Sequence, residues 1–189
     1  MGVWMKRASL VMLPLLMLPF GVLGQNYTLD PQHSYVEWHI DHFGFSTPSG
    51  KWMANGKLVY DEKNLQNSKV EAKINVADIV TAIPELDKHL KSKLFFDVAE
   101  FPTATFVSNK VEVKDNQINK VLGNLTLRGV IKPVVLDVKF NKKGPSPISD
   151  KETVGFSAKT TLKRSDFGIN TLLPGLSDNV ELNIEVEAN

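Results

Sequence analysis

The chain contains no cysteine among its 189 residues. That excludes disulfides, thiolate metal centres and thiol nucleophiles, so packing and backbone hydrogen bonds alone must hold the fold. A surplus of either charge is also missing, with 22 Lys and Arg against 21 Asp and Glu. Binding to a phosphate backbone needs a basic excess, so nucleic acid is not an expected partner. There is no GxSxG, no HExxH, no HxH and no glycine-rich phosphate loop. The familiar local signatures of hydrolases, zinc enzymes and nucleotide-binding proteins are therefore lacking.

One apolar run is present, "ASLVMLPLLMLPFGVLG" at 8–24, directly after Lys6 and Arg7. A basic start, a short apolar stretch and a small-residue end read as a secretory signal cleaved near Gly24–Gln25. The run is at the lower limit for a membrane span and holds Pro14 and Pro19. The expectation is a signal peptide at 1–24, a single domain at 25–189, and a soluble product in the periplasm. Without Lys6 and Arg7 the formal charge is about −1. A cysteine-free exported chain suits a bacterial envelope.

The remaining chain alternates with a period of two. In "SKVEAKINV", Val70, Ala72, Ile74 and Val76 oppose Lys69, Glu71, Lys73 and Asn75. In "NVELNIEVEA", Val180, Leu182, Ile184 and Val186 oppose Glu181, Asn183, Glu185 and Glu187. Such segments are strands with one face in a core and one in water. "SYVEWHI", "GKLVYD", "ATFVSNKVEVKD", "KVLGNLTLRG", "PVVLDVKFN" and "TVGFSAKTTLKR" bring the number to about eight, separated by polar turns at 61–68, 114–119 and 141–151. The pattern predicts an antiparallel sandwich or a closed barrel. One segment differs: "IPELDKHLKSKLFFD" (83–97) has Pro84 at a first turn and Leu86, Leu90 and Leu94 four apart. It predicts a short amphipathic helix lying across an end or side of the sheet.

Three of the four histidines lie in "HSYVEWHIDHFGF". On an extended strand, His33 and His39 are roughly 20 Å apart at about 3.3 Å per residue. They cannot share a metal ion unless the strand breaks. No metal site and no cofactor is expected. His33 is expected to bond near the Asp30–Pro31 turn, His39 to lie on the face away from Trp38 and Ile40, and His89 to be a surface or capping residue on the helix. "RSDFGIN" (164–170) is the most motif-like run. Arg164 and Asp166 in it read either as an ion pair or turn cap, or as polar contacts beside Phe167 at a pocket mouth.

Taken together, "YTLDPQHSYVEWHIDHFGF", "DKHLKSKLFFDVAEFPTATFVS", "GNLTLRGVIKPVVLDV", "RSDFGIN" and "LSDNVELNIEVEA" resemble the YceI-like family of periplasmic polyisoprenoid-binding proteins, over Tyr27 to Ala188. The resemblance implies an all-β fold with one short helix: an eight-stranded antiparallel lipocalin-like barrel around an apolar cavity. It implies a bound polyisoprenoid lipid, such as a prenyl quinone or polyprenyl phosphate, and no catalytic residue. The family often has arginine at the position of Leu86 and an acid at that of Leu94, so this helix is the more apolar.

Eight strands sit at the size where a barrel is either filled by side chains or holds one ligand. The expected inward set is Trp38, Ile40, Leu58, Tyr60, Val70, Ile74, Phe106, Leu125, Leu127, Leu136, Val138, Phe156, Leu182 and Ile184. Helix residues Leu90 and Leu94 with Phe95, and Phe43, Phe45 and Trp52 from a loop or bent strand at 41–53, are expected to add ligand contacts. Three functions are compatible with this pattern. The first is an envelope lipid carrier or store, in transient contact with membranes and able to pair as a homodimer. The second is an enzyme acting on an isoprenoid or quinone through His39, His89 or Asp166. The third is a structural or stress-response protein with a filled core.

Overall fold

The computed structural model describes residues 24–189. The expected signal segment lies outside the described residues, apart from Gly24. Ten strands form one curled antiparallel sheet: β1 Gln25–Thr28, β2 Tyr35–His42, β3 Ser49–Met53, β4 Asn55–Tyr60, β5 Lys69–Asn75, β6 Thr103–Lys114, β7 Gln117–Leu127, β8 Val130–Pro145, β9 Glu152–Lys163 and β10 Leu176–Ala188. Their order is β1-β4-β5-β6-β7-β8-β9-β10-β2-β3. Helix α1, Pro84–Lys91, interrupts the meander between β5 and β6.

The sequence predicts eight strands, and the additional two are β1 and β3. Each has only four or five residues, too few to display alternation, and β3 follows directly on Pro48. Ala54 alone separates β3 from β4. Both outer strands find further partners, which removes the hazard of a bare sheet edge. The Thr28 N–H donates to the Asn189 carbonyl at 2.8 Å and the Asn189 N–H returns to Thr28 at 2.9 Å, tying β1 alongside the end of β10. Lys51 and Val80 exchange two backbone hydrogen bonds, tying β3 to the segment after β5.

Close strand approach has one stringent requirement. A Cβ at Gly56 would lie 2.0 Å from the Glu71 carbonyl oxygen, and its φ is +153°. Only glycine lets β4 meet β5 there.

Bulges reset which residues face inward. Register shifts on β6–β7 fall between Ser108 and Lys110 and between Glu112 and Val113. Ala104 and Phe106 face the interior above the first shift, whereas the buried residue below it is Val111. An extra residue in a strand reverses its parity in this way.

Within the 83–97 segment the helix ends before Leu94, the last residue of the expected apolar stripe. Pro84 opens it, but the Ser92 N–H and hydroxyl both donate to the His89 carbonyl, at 3.1 and 2.7 Å, and end it. Leu86 and Leu90 face the sheet, and Leu94 falls beyond the helix and is exposed. At the start, Asp87 accepts from the Thr81 N–H and hydroxyl at 2.8 and 2.6 Å.

Because the strands alternate in direction, the connections sort to two ends. The 43–48 hairpin, the α1 segment, Arg128–Gly129 and the 164–175 loop share one end. The turns at 61–68, 115–116 and 146–151 share the other.

Candidate functional site

A pocket of about 590 Å³ lies inside the curled sheet, a usual size for a ligand site. The structure places Trp38, Ile40, Trp52, Leu58, Val70, Ile74, Leu90, Phe95, Phe106, Leu125, Leu127, Leu136, Val138, Phe156, Arg164, Phe167, Leu182 and Ile184 on its wall. They gather because every strand turns one parity inward. Near α1, Trp38, Ile40, Trp52, Leu90, Phe95 and Ile169 pack into one cluster. Leu125, Leu136, Val138, Leu182 and Ile184 line the pocket yet remain only half-buried. Side chains in a filled interior would be close-packed and fully covered.

Five expected contact residues lie elsewhere, and each has a local cause. Phe43 and Phe45 stand on the β2–β3 hairpin outside the wall, because β2 ends at His42 and the turn carries them out. Leu94 is lost from the wall with the early end of α1. Asp166 is exposed in the 3₁₀ turn Arg164–Phe167 and does not line the pocket. Tyr60 lies at the end opposite α1, stacked on Phe140 at 6.1 Å and edge-on to Phe156 at 5.5 Å.

That aromatic group stands between the pocket and a polar hollow lined by Tyr60, Glu62, Phe140, Lys143 and Glu152. Lys143 is bonded to Glu62 and lies 3.6 Å from Glu152. The Glu62 hydrogen bond raises the Lys143 pKa, and burial raises those of Tyr27 and Tyr60.

Arg164 is not paired with Asp166. Its guanidinium is buried and donates to four backbone carbonyls: Ser177 at 2.7 Å, Thr171 at 2.8 Å, Leu176 at 2.9 Å and Ile169 at 3.0 Å. Burial lowers its pKa. The acid of this turn is Asp178, which accepts from the Ser165 N–H and hydroxyl at 2.9 and 2.8 Å. The Ser165 amide holds its pKa below the usual carboxylate value. Arg164 is thus a clamp on the loop, with most of its donors engaged before any ligand arrives.

Among the described residues no carboxylate lines the pocket. Its charged wall residues are Lys69 and Lys73, whose side chains belong to the exposed face of β5, and Arg164. His42 and His89 border the wall toward α1, each edge-on to a phenyl ring: Phe43 at 4.6 Å and Phe95 at 4.9 Å. His42 was not singled out from the sequence and His89 only under the enzyme reading, because neither a strand end nor a helix C-terminus announces its direction. His39 points outward, 3.4 Å from Glu37. His33 bonds Asp30 at 2.8 Å, where each group stabilises the charged form of the other. With Glu187 these form the one three-residue cluster of metal-ligand type among the described residues. The His33 Nδ1 is already held by Asp30, and the group lies away from the pocket.

A YceI-like domain model matches residues 27–188. The chain belongs to the YceI family. It is 41% identical to Protein YceI of Salmonella arizonae over 157 residues, 82% of this chain and 81% of that one. The Campylobacter jejuni YceI crystal structure is 34% identical and superposes with a TM-score of 0.71, covering 79% of this chain and 88% of that one. A polyisoprenoid-binding domain from Saccharophagus degradans is 14% identical, with a TM-score of 0.60 over 86% and 97% of the two chains. At that identity the likeness is one of fold. The architecture is the lipocalin-like YceI fold: mostly β, one helix, a ten-stranded curled sheet.

Proposed function

We propose that this protein binds a polyisoprenoid lipid, of the polyprenyl quinone or polyprenyl phosphate type, and carries or stores it in the periplasm after loss of residues 1–24. The YceI family and its fold support a binding role. The observation that carries the lipid reading is the wall itself: long, apolar, free of carboxylates and incompletely filled. A polar ligand would lose its hydrogen bonds to water on entering and regain few from this wall. A terpenoid tail loses nothing of that kind and gains about 0.8 kcal/mol per buried methylene-sized group.

The pocket extends from the level of Leu176 to that of Val186 on β10; because a bulge between Leu176 and Val180 lets four residues span only His42 to Ile40 on β2, the run is roughly 26 Å at about 3.3 Å per residue. That length suits several isoprene units laid end to end. The role is binding without turnover. His39 and Asp166, two groups able to serve an enzyme, lie off the wall, and His89 stands at its edge. A filled structural core fits poorly with half-buried inward leucines.

The test is organic extraction of the purified protein, with mass spectrometry of the extract, followed by titration of the emptied protein with a prenyl quinone. Trp38 and Trp52 on the wall report occupancy through their fluorescence. The expected result is a prenyl lipid in the extract and saturable quenching. An extract free of lipid, together with no response to added prenyl compound, refutes the proposal.

A further inference from the structure

The connections at the α1 end carry an unusual share of exposed apolar surface. Of the eleven large hydrophobic residues exposed among the described ones, six lie there: Phe43, Phe45, Val80, Ile83, Leu94 and Leu172. They come from three separate loops. Phe45 stands at the hairpin tip with 89% of its surface exposed. Isolated exposed apolar residues need no explanation, but a cluster ringed by polar groups marks a contact surface.

The cluster is continuous with the pocket. Ile83 and Leu172 belong both to the exposed set and to the pocket wall, which makes them the rim of its mouth. Phe43 lies against Gly175, where a Cβ would come within 2.6 Å of its ring. That places Phe43 beside the Leu172 loop. The Thr171 hydroxyl donates to the Leu94 carbonyl, joining the same loop to the segment after α1. An apolar path therefore runs from the outer surface, over the rim, to the interior.

We infer that this rim docks on the interface of a lipid bilayer, so that an isoprenoid tail passes between membrane and pocket without crossing water. This rests on reading the pocket as a lipid site. A bilayer is favoured over a second protein because the exposed apolar residues run on into the pocket lining through Ile83 and Leu172, and the ligand read for that pocket is itself a bilayer lipid. The charges at this end are mixed: Lys88, Lys91 and Lys93 share its connections with Glu85, Asp97 and Asp166. Attraction to anionic lipid is thus not the driving term. Docking is by apolar insertion, which salt does not screen.

The experiment uses the chain from Gln25 onward, which contains every strand and contact described above, and vesicles of phosphatidylcholine alone. The protein floats with vesicles in a density gradient, equally in low and high salt. Phe45→Ser combined with Leu94→Ser lowers the bound fraction about tenfold, since both apolar tips leave the bilayer. Ile148→Ser, which removes an apolar side chain 90% exposed at the opposite end, leaves flotation unchanged. Prenyl quinone supplied in detergent micelles quenches the double variant as it does the parent, so failure of docking is distinguished from failure of the pocket reading. Three results overturn the inference: no flotation of the parent, equal flotation of the double variant, or equal loss in Ile148→Ser. Concentration-dependent dimerisation that the double variant abolishes, without vesicle binding by the parent, assigns the rim to a second copy instead.

Discussion

Val138 offers the sharpest test of whether the interior is open. It lines the pocket midway along β8, opposite Ala158 of β9, and is only half-buried. Val138→Trp puts an indole into the space a tail occupies. If the tail loses about four methylene-sized contacts at about 0.8 kcal/mol each, binding weakens by about 3 kcal/mol, or roughly a hundredfold in Kd. Stability responds differently in the two cases. An open pocket takes the indole with a change of about 1 kcal/mol or less. A close-packed core is overpacked and loses about 1–3 kcal/mol or more. Urea unfolding followed by far-ultraviolet circular dichroism gives the stability, and prenyl quinone titration gives the affinity. A variant destabilised by about 3 kcal/mol that still binds with parental affinity refutes the reasoning, because the space would then be core and the ligand elsewhere.

Two further outcomes follow from the 164–178 turn. Arg164→Met leaves four carbonyls without their donor and is expected to cost about 3 kcal/mol in urea unfolding, after allowing for the guanidinium's recovered solvation. A loss below about 1 kcal/mol would show that the clamp is dispensable. Asp178→Asn weakens the bonds from Ser165, for about 1 kcal/mol at neutral pH. Because the folded Asp178 pKa is lowered, its contribution is present above the unfolded carboxylate value of about 3.9 and fades as pH falls through the lower folded one. The stability gap between parent and variant therefore closes on acidification, and a gap constant from pH 7 to pH 2 contradicts this assignment.

Parity along the strands was legible residue by residue. Val70 and Ile74, or Leu182 and Ile184, face inward because a pleated strand turns alternate side chains to opposite faces, and only one face avoids water. Pro84 announced the helix start, and the Asp30 turn announced the partner of His33. Less legible were features in which a short-range signal competes with a distant partner. The four-residue spacing of Leu86, Leu90 and Leu94 suggests one helical stripe, but Ser92 closes the helix before Leu94. Arg164 and Asp166 look like a pair at two-residue spacing, yet the guanidinium turns to carbonyls of the next loop and strand, and the acid that caps the turn is Asp178, twelve residues further on.

From its amino acids alone, then, this chain specified an antiparallel β-protein with one short helix, no thiol chemistry and a largely apolar inner face. Those properties depend on neighbours within a few residues. Whether the inner face closes on itself or leaves room, where the bulges reverse parity, and which loops gather Phe43, Ile83 and Leu172 at one mouth depend on residues up to a hundred or more positions apart. Alternation is the same for a dry core and for a pocket. The distance between facing strands separates the two, and only the assembled sheet sets that distance.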